Sequence, residues 1–305
     1  MTWTLLSLLN WTTEFFTKKE IPTARLDAEV LLAHLLKIER IQLYVQFERV
    51  MSEEELAAFK KLILRRAEGE PVSYIRGVKE FWSLPFKVGP GVLVPRPDTE
   101  VLLETVLGKI PPHPPFSKGG VMEEALYFPP LKKGGRGDLQ LTVLDIGTGT
   151  GNIAIALAKT FPNAQITAID LSEEALAYAR DNAKTHQADI QFLRMDFLKE
   201  IPEGKFDLVV SNPPYIASAV IETLGPAVKN YEPRAALDGG PTGLDFYRRI
   251  GETAIVFLKE DGLLAVEMGE DQEGSVKGIF ERAGLKKIEV RKDYAGLPRV
   301  VTAHG

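Results

Sequence analysis

The tetrapeptide Asn212-Pro213-Pro214-Tyr215 follows the apolar segment 206–211 and combines residue types that could hold a flat amino group. Proline fixes φ near about −65° and has no backbone N–H, so two consecutive prolines form a rigid turn whose carbonyl oxygens are free to point into a cavity. The side-chain oxygen of Asn212 and the carbonyl of Pro213 could accept the two protons of a planar NH2 group, while the Tyr215 ring lies against its face. Taken alone, Pro-Pro is also typical of a tight turn that merely ends a strand.

A glycine-rich loop lies upstream, between a buried-strand pattern at 141–146 and a helix pattern at 152–159. Glycine adopts positive φ readily, so the backbone can approach a ligand closely, and the following helix N-terminus favours negative charge. The nicotinamide fingerprint needs a glycine where Asn152 stands, and no Gly-Lys-Ser/Thr follows for a phosphate loop. With Asp145 before it, the loop suits a cofactor without phosphates, and S-adenosyl-L-methionine, whose charged parts are an ammonium and a carboxylate, fits. The predicted cofactor-binding residues of this loop are Gly147, Thr148, Gly149, Thr150 and Gly151.

The next two strand patterns also end in groups suited to this cofactor. Segment 164–169 leads to Asp170, whose carboxylate can accept hydrogen bonds from both ribose hydroxyls. Segment 190–194 leads to Met195-Asp196-Phe197, where one polar and one aromatic side chain are placed to border an adenine. In open α/β sheets, ligands sit outside the carboxyl ends of the strands at a topological switch point. Asn212, at the end of the fourth strand, should therefore face the same crevice.

Composition excludes several other classes of site. The 305 residues are 45% hydrophobic and 26% charged, which predicts a soluble globular protein of about two domains. A net charge of −5 and the lack of a sustained basic run disfavour stable nucleic-acid binding. The chain has no cysteine and only four scattered histidines, so we predict no metal site. No apolar span reaches the ~20 residues of a membrane helix and no basic stretch precedes the first apolar run, which predicts a cytoplasmic protein.

Four segments are predicted along the chain. Residues 1–72 show helical apolar periodicity and a capping box at Ser52-Glu53-Glu54-Glu55, typical of a small bundle that either caps the core or docks a substrate. Residues 73–110 contain a predicted strand pair over 78–94 and a helix through Leu107. Residues 140–305 carry the glycine loop, the tetrapeptide and later strands predicted at 262–267, 287–292 and 299–303.

The segment between them, 111–139, is rich in proline and glycine. Its pattern Pro-Pro-x-x-Lys-Gly-Gly occurs at 114–120 and again at 129–135. Such sequence does not form a packed element, so we predict a flexible surface insertion, with partner binding through polyproline geometry as the alternative.

The motifs together resemble those of class I S-adenosylmethionine-dependent methyltransferases and, within that class, the release-factor glutamine methyltransferases of the HemK or PrmC family. Asn-Pro-Pro-Tyr alone is shared with adenine and cytosine methyltransferases, and the segment 81–100 is what narrows the resemblance. The matching segments are Phe81–Phe86, Val94–Glu100, Asp145–Gly151, Asn212–Ile216, Tyr231–Pro233 with Ala236–Leu237, and Asp293–Val301. The insertion departs from the family pattern, which has a short linker there.

The resemblance implies an α/β fold, a seven-stranded Rossmann-like class I methyltransferase domain preceded by a small N-terminal helical domain that engages the release factor. It implies transfer of a methyl group from S-adenosyl-L-methionine to the amide nitrogen of the glutamine in the Gly-Gly-Gln motif of class I peptide chain release factors. The catalytic residues would be Asn212, Pro213 and Tyr215, and the substrate-binding residues Asn212, Pro213, Pro214 and Tyr215. Asp170, Phe197 and Asn212 would join the glycine loop in binding the cofactor.

The implied chemistry needs orientation more than a strong base. As the new C–N bond forms, the amide nitrogen gains positive charge, which the Asn212 and Pro213 oxygens would stabilise more than they stabilise the ground state. The proton can then leave to water or to a neighbouring acceptor such as Asp98, Glu100 or Glu267. Each of these three residues is equally typical of a structural or solvated carboxylate. Two other functions stay open at this point: methylation of an exocyclic amine of adenine or cytosine in DNA or RNA, and a non-catalytic binding fold.

Overall fold

The computed structural model describes residues 2–110 and 141–305, so the predicted insertion at 111–139 and its repeat lie outside the described residues. In the described part, short 3₁₀ turns cover Pro97–Thr99 and Arg234–Ala236. The α-helices are α1 (Leu5–Lys18), α2 (Ala24–Leu36), α3 (Arg40–Val45), α4 (Glu53–Ala67), α5 (Val72–Arg76), α6 (Glu100–Lys109), α7 (Asn152–Thr160), α8 (Glu173–His186), α9 (Ser218–Ile221), α10 (Pro226–Lys229), α11 (Asp245–Phe257) and α12 (Glu273–Arg282). The strands are β1 (Val78–Phe81), β2 (Leu84–Lys87), β3 (Thr142–Ile146), β4 (Gln165–Asp170), β5 (Gln191–Arg194), β6 (Phe206–Ser211), β7 (Leu258–Glu267), β8 (Lys286–Lys292) and β9 (Pro298–His304).

The chain forms two compact units. The first contains residues 1–79, 88–90 and 224–232, and the second contains 80–87, 91–223 and 233–305. The first unit is helical, and its core consists of apolar residues from α1 to α5, such as Leu9 and Leu32. Two of its helices, α1 and α4, begin at capping boxes. In α4, Ser52 and Glu55 form the predicted box, each side chain bonding to the other residue's backbone N–H.

The second unit is built on a seven-stranded sheet, as predicted. The strand order is β5-β4-β3-β6-β7-β9-β8, parallel except at β9, which pairs antiparallel with both neighbours. The central strands β3 and β6 are nearly continuous apolar runs because helices cover both faces of a parallel sheet. Strand order reverses between β3 and β6, so a crevice opens at their carboxyl ends.

The predicted lengths of two strand segments were wrong. The strand pair is shorter than the predicted 78–94, because β1 and β2 turn tightly at Trp82 and Ser83, which both have positive φ, and the extended pairing ends at Lys87. β7 is longer than the predicted 262–267, since it begins at Leu258 and passes through an irregular register beside Phe206. Neither difference moves the carboxyl end of a strand in the large sheet.

Candidate functional site

A cleft of about 170 Å³ lies in the second unit at the carboxyl ends of β3, β4, β5 and β6. Of the predicted site residues, those that line it are Gly147, Thr148, Gly149, Thr150, Asp170, Phe197, Asn212 and Pro214. Three others lie outside the lining, namely Gly151, Pro213 and Tyr215. Four separate strand ends and the loops after them therefore meet at one cavity.

The glycine loop presents bare backbone to this cleft. Gly147 and Gly149 have φ of +74° and +55°, and a Cβ built at either would meet no described atom within 4 Å. The loop is held from behind, since the backbone N–H groups of Gly147 and Thr148 donate to the carbonyl of Ile169 at 2.9 and 3.0 Å. The open space and the fixed backbone together form a cradle for a ligand.

Gly151 has a different role from the other two glycines. It precedes α7 with φ of +78°, and a Cβ there would lie 3.2 Å from the Cβ of Ala179 and from the Cδ1 of Ile155. This glycine allows α7 and α8 to approach closely. The prediction that it contacts the cofactor stays untested.

Asp170 ties the ends of two strands together. One carboxylate oxygen accepts the backbone N–H of Gly149 at 2.9 Å and the other accepts that of Ser172 at 2.9 Å. Each carboxylate oxygen can accept a second hydrogen bond, so the side chain keeps the capacity for the two ribose hydroxyls that we predicted. Burial raises the pKa of this carboxyl above its usual value.

Asp145 is a second carboxyl behind the loop. Its Oδ2 accepts the Thr148 hydroxyl at 2.6 Å, while its Oδ1 is buried without a hydrogen-bond partner among the described residues. Burial raises the pKa of Asp145 to about 7. Asp145 is fully buried and does not line the cleft, so its bond to Thr148 supports the loop from the side away from a ligand.

One wall of the cleft is apolar. Phe197 and Met195 line the cleft with Phe246, and Phe197 also packs edge-on against Phe257 with ring centroids 6.1 Å apart. Phe197 is only 4% exposed, so most of its ring belongs to the core and a small part faces the cavity. S-adenosyl-L-methionine fits this cleft, because it combines a charged amino-acid end, a ribose and a flat apolar-faced base.

Asn212 has a defined orientation. Its Nδ2 donates to the hydroxyl of Thr99 at 3.0 Å, which leaves Oδ1 as the acceptor that this side chain can offer to a ligand. Thr99 and Asn212 both line the cleft. Thr99 lies 113 positions before Asn212, and we did not predict it to be part of the site.

Tyr215 lies on the other side of the turn. Its hydroxyl donates to Oε1 of the buried Glu267 at 3.4 Å, and its ring packs against the apolar cluster that contains Tyr247 and Val266. Burial, with the adjacent Glu267 carboxyl, raises the pKa of the Tyr215 phenol far above its usual value, so this hydroxyl stays protonated and acts as a donor. Stacking of the Tyr215 ring on a substrate remains a prediction.

The remainder of the turn is fixed by residues that the sequence did not single out. Nε2 of Gln272 donates to the carbonyls of Tyr215 and Gly243 at 2.9 and 3.2 Å. A Cβ at Gly239 would lie 2.7 Å from the Pro214 carbonyl oxygen, and one at Gly243 would lie 2.3 Å from that of Tyr215. Glycine at these two positions is therefore required for the close approach of the two loops.

Asn182 supports the glycine loop from α8. Its Nδ2 donates to the carbonyl of Thr150 at 2.9 Å, and its Oδ1 accepts the backbone N–H of Lys87 at 2.7 Å. It is 1% exposed, on an otherwise alanine-rich buried face of the helix. In the sequence, an asparagine within an otherwise apolar helix face was the one sign that this residue makes buried hydrogen bonds.

Two kinds of feature are absent from the described residues. Within 2–110 and 141–305, no group of three or more His, Cys, Asp or Glu side chains is placed to hold a metal ion. None of the helices in those ranges has both the length and the apolar character needed to cross a membrane.

Comparisons with known proteins agree with the geometry. Residues 7–77 match the PrmC N-terminal domain, and residues 126–225 match the Methyltransferase small domain. A release factor glutamine methyltransferase from Geobacter sulfurreducens is 42% identical over 98% of this chain and 96% of its own length. Proteins of the same description from Rhodopirellula baltica and Thermodesulfovibrio yellowstonii are 38% and 39% identical, over 98% and 90% of this chain and 96% and 90% of theirs. The chain belongs to the family of release factor glutamine methyltransferases.

Proposed function

We propose that this protein methylates the side-chain amide nitrogen of the glutamine in the Gly-Gly-Gln motif of class I peptide chain release factors, with S-adenosyl-L-methionine as the methyl donor. The near full-length similarity to release factor glutamine methyltransferases supports the reaction and its substrate. The observation that carries the proposal is the orientation of Asn212, whose Nδ2 is engaged by Thr99 and whose Oδ1 is left to accept. A primary amide NH2 is a donor that matches this acceptor.

The predicted site residues divide into two groups, and Asn212 belongs to both. We assign cofactor binding to Gly147, Thr148, Gly149, Thr150 and Gly151 in the loop, together with Asp170, Phe197 and Asn212. When bound, the cofactor supplies a methyl group that its positively charged sulfonium makes electrophilic. The loop and Asp170 hold the polar parts of the cofactor, and the apolar wall at Phe197 excludes water from the reacting centre.

We assign substrate orientation to the tetrapeptide. Asn212 Oδ1 and the Pro213 carbonyl accept the two amide protons, so the plane of the glutamine amide is fixed and rotation about its side chain is lost before reaction. As the nitrogen becomes positively charged, both oxygens bind it more strongly than they bind the neutral amide, which lowers the barrier. Pro214 keeps the turn rigid, and Tyr215 faces the amide from the side of the turn. The new C–N bond forms as the C–S bond of the cofactor breaks, which leaves S-adenosyl-L-homocysteine. After methyl transfer the nitrogen has become acidic, and it loses its surplus proton to water.

The helical residues 1–72 are proposed to dock the release factor, and 140–305 to form the catalytic domain after the linker at 73–110 and the insertion at 111–139. Docking through a separate helical region would place one glutamine at the cleft without requiring the cleft to recognise a long sequence. Because release factors act on ribosomes, the proposed location is the cytoplasm. We expect no stable binding of nucleic acid, because the net charge of the chain is −5.

A methyl-transfer assay with several acceptors tests the function. Labelled S-adenosyl-L-methionine is offered with a class I release factor, with the same factor carrying alanine in place of the Gly-Gly-Gln glutamine, with DNA and with rRNA. We expect label only on the unaltered release factor, and mass spectrometry should locate one methyl group on the glutamine amide. Label on the alanine variant or on either nucleic acid would contradict the proposal.

A further inference from the structure

Gln272 is a half-buried residue that the reaction outlined above does not use. It lies between β7 and α12, and the cleft lining does not include it. Its own backbone is fixed, because its N–H donates to the carbonyl of Gly269 at 3.0 Å and its carbonyl accepts the N–H of Val276 at 2.9 Å. The side chain is therefore carried by a well-held segment of backbone.

The side-chain amide of Gln272 uses all of its hydrogen-bonding capacity. Nε2 donates to the carbonyls of Tyr215 and Gly243 at 2.9 and 3.2 Å. Oε1 accepts the backbone N–H of Gly269 at 3.0 Å and the hydroxyl of Tyr247 at 3.3 Å. A primary amide has two N–H donors and an oxygen with two lone pairs, so no capacity is left over.

The orientation of this amide follows from its backbone partners. A backbone carbonyl can only accept and a backbone N–H can only donate, so the nitrogen must face Tyr215 and Gly243 and the oxygen must face Gly269. None of these backbone groups titrates, so the arrangement does not depend on a protonation state. Gln272 thereby connects the end of the tetrapeptide with the loop before α11 and the loop after β7.

The tetrapeptide needs support at both ends, because proline restrains only one of its two backbone angles. The ring fixes φ, whereas ψ is free to turn, and the direction of the Pro213 carbonyl depends on ψ. Before the prolines, the hydroxyl of Ser211 donates to the carbonyl of Ile146 at 2.7 Å. After them, the peptide group between Tyr215 and Ile216 is held on both sides. Its N–H donates to the carbonyl of Leu237 at 3.0 Å, and its carbonyl accepts from Gln272.

We propose that Gln272 is a positioning residue, which holds the peptide group after the tetrapeptide and thereby keeps the Pro213 carbonyl in the direction that accepts a proton of the substrate amide. The inference deepens the proposed function and rests on it. Gln272 does not line the cleft, so its effect on the reaction passes through the turn. The substrate nitrogen must be held in line with the methyl group, so a small rotation of the turn lowers the rate and leaves the glycine loop and Asp170 in place.

Two substitutions test the inference. Gln272→Met keeps the length of the side chain and removes its strong donors and acceptors. Gln272→Glu keeps an acceptor for Gly269 but can donate to at most one of the two carbonyls in either protonation state. We expect kcat to fall by about 10- to 100-fold in both variants, since a misplacement of about 1 Å has an effect of this size. The KM for the release factor and the Kd for S-adenosyl-L-methionine should stay within about threefold, because only the reacting geometry has changed.

Two control variants separate positioning from stability. Gln165→Met, at the exposed first residue of β4, is the matched control and should behave as the wild type. Ile166→Ala removes a buried side chain at the end of β4 away from the cleft, so it lowers stability without touching the turn. All variants are assayed at a temperature at which circular dichroism shows them folded. A kcat of Gln272→Met within about threefold of the wild type, a parallel rise in its cofactor Kd, or an equal loss of kcat in Ile166→Ala would overturn the inference.

A readout without turnover separates this inference from the proposed function. Amide hydrogen exchange, followed by mass spectrometry, should be faster by about tenfold or more over residues 212–218 in both Gln272 variants and unchanged over the glycine loop at 147–151. Unchanged exchange over 212–218 would refute the positioning role even if the wild type methylated no release factor. Faster exchange there, with a wild type that methylates nothing, would support the role of Gln272 in the turn and refute the proposed function alone.

Discussion

The substitution Asn212→Ala removes the acceptor on which the proposed reaction depends. In the wild type, Oδ1 is left to accept because Nδ2 donates to Thr99 at 3.0 Å. Loss of one preorganised hydrogen bond to a developing charge costs about 2.7–4 kcal/mol, or about 10²–10³ in kcat. Loss of the bond to Thr99 should destabilise the fold by only about 1 kcal/mol.

Apart from the contact assigned to Asn212 itself, the cofactor contacts of the variant should survive. The backbone of the glycine loop and both oxygens of Asp170 are fixed by bonds that do not involve Asn212. The Kd for S-adenosyl-L-methionine, measured by isothermal titration calorimetry, should therefore change by less than about fivefold while single-turnover methyl transfer falls by about two to three orders of magnitude. Asn230→Ala, at an exposed position directly after α10, serves as the matched control.

Two results would refute this reasoning. A rate of methyl transfer within tenfold of the wild type would mean that Asn212 Oδ1 does not hold the reacting amide. A Kd that rises in parallel with the loss of rate would mean that Asn212 acts mainly through the cofactor, and the division of the cleft into two groups of residues would be wrong.

Three further predictions concern the cofactor, the turn and pH. Asp170→Ala should raise the cofactor Kd, measured by calorimetry, by at least about tenfold, because it removes the acceptor proposed for the ribose. It should also lower the stability measured by thermal unfolding, because two backbone N–H groups lose their partner at about 1–3 kcal/mol each. An unchanged Kd would reject the assignment of Asp170 to the ribose. Gly243→Ala should lower stability by more than about 1–3 kcal/mol, the cost of a positive φ alone, since its Cβ would also meet the Tyr215 carbonyl oxygen, and denaturant unfolding should show it. Asp145 and Glu267 both have a folded-state pKa raised to about 7, so the stability that they contribute is complete below their ordinary pKa values and is lost as pH rises to about 7. Chemical denaturation from pH 5 to 8 should show this fall, and a smaller one in Glu267→Gln; an identical pH dependence in the two proteins would contradict the raised pKa of Glu267.

Much of the site could be predicted from the sequence, because its parts follow consecutive strands. The glycine loop follows β3, Asp170 ends β4, and Asn212 follows β6, so their meeting at one edge is a property of any parallel sheet with this order. Local patterns were enough to place these residues, since each depends on only its own strand and the turn after it.

The supporting contacts were not predictable in the same way. Thr99 and Asn212 are 113 positions apart, and Asn182 meets Lys87 across 95 positions, so no local pattern links them. Glu267 was considered as a proton acceptor near the substrate, but it is buried, and the cleft lining does not include it. Which buried polar side chains pair is decided by tertiary packing, and hydrophobic periodicity carries no information on it.

The two backbone bonds to Asp170 have a consequence for the speed of ligand capture. Because Gly149 and Ser172 already hold both carboxylate oxygens, this side chain has no rotamer freedom left to lose when a ligand arrives. An unrestrained side chain would add about 0.5–1.5 kcal/mol of ordering entropy to the cost of binding. Stopped-flow mixing with the cofactor should accordingly give a single exponential phase whose rate is linear in concentration, without the plateau that a slow rearrangement of the pocket would impose.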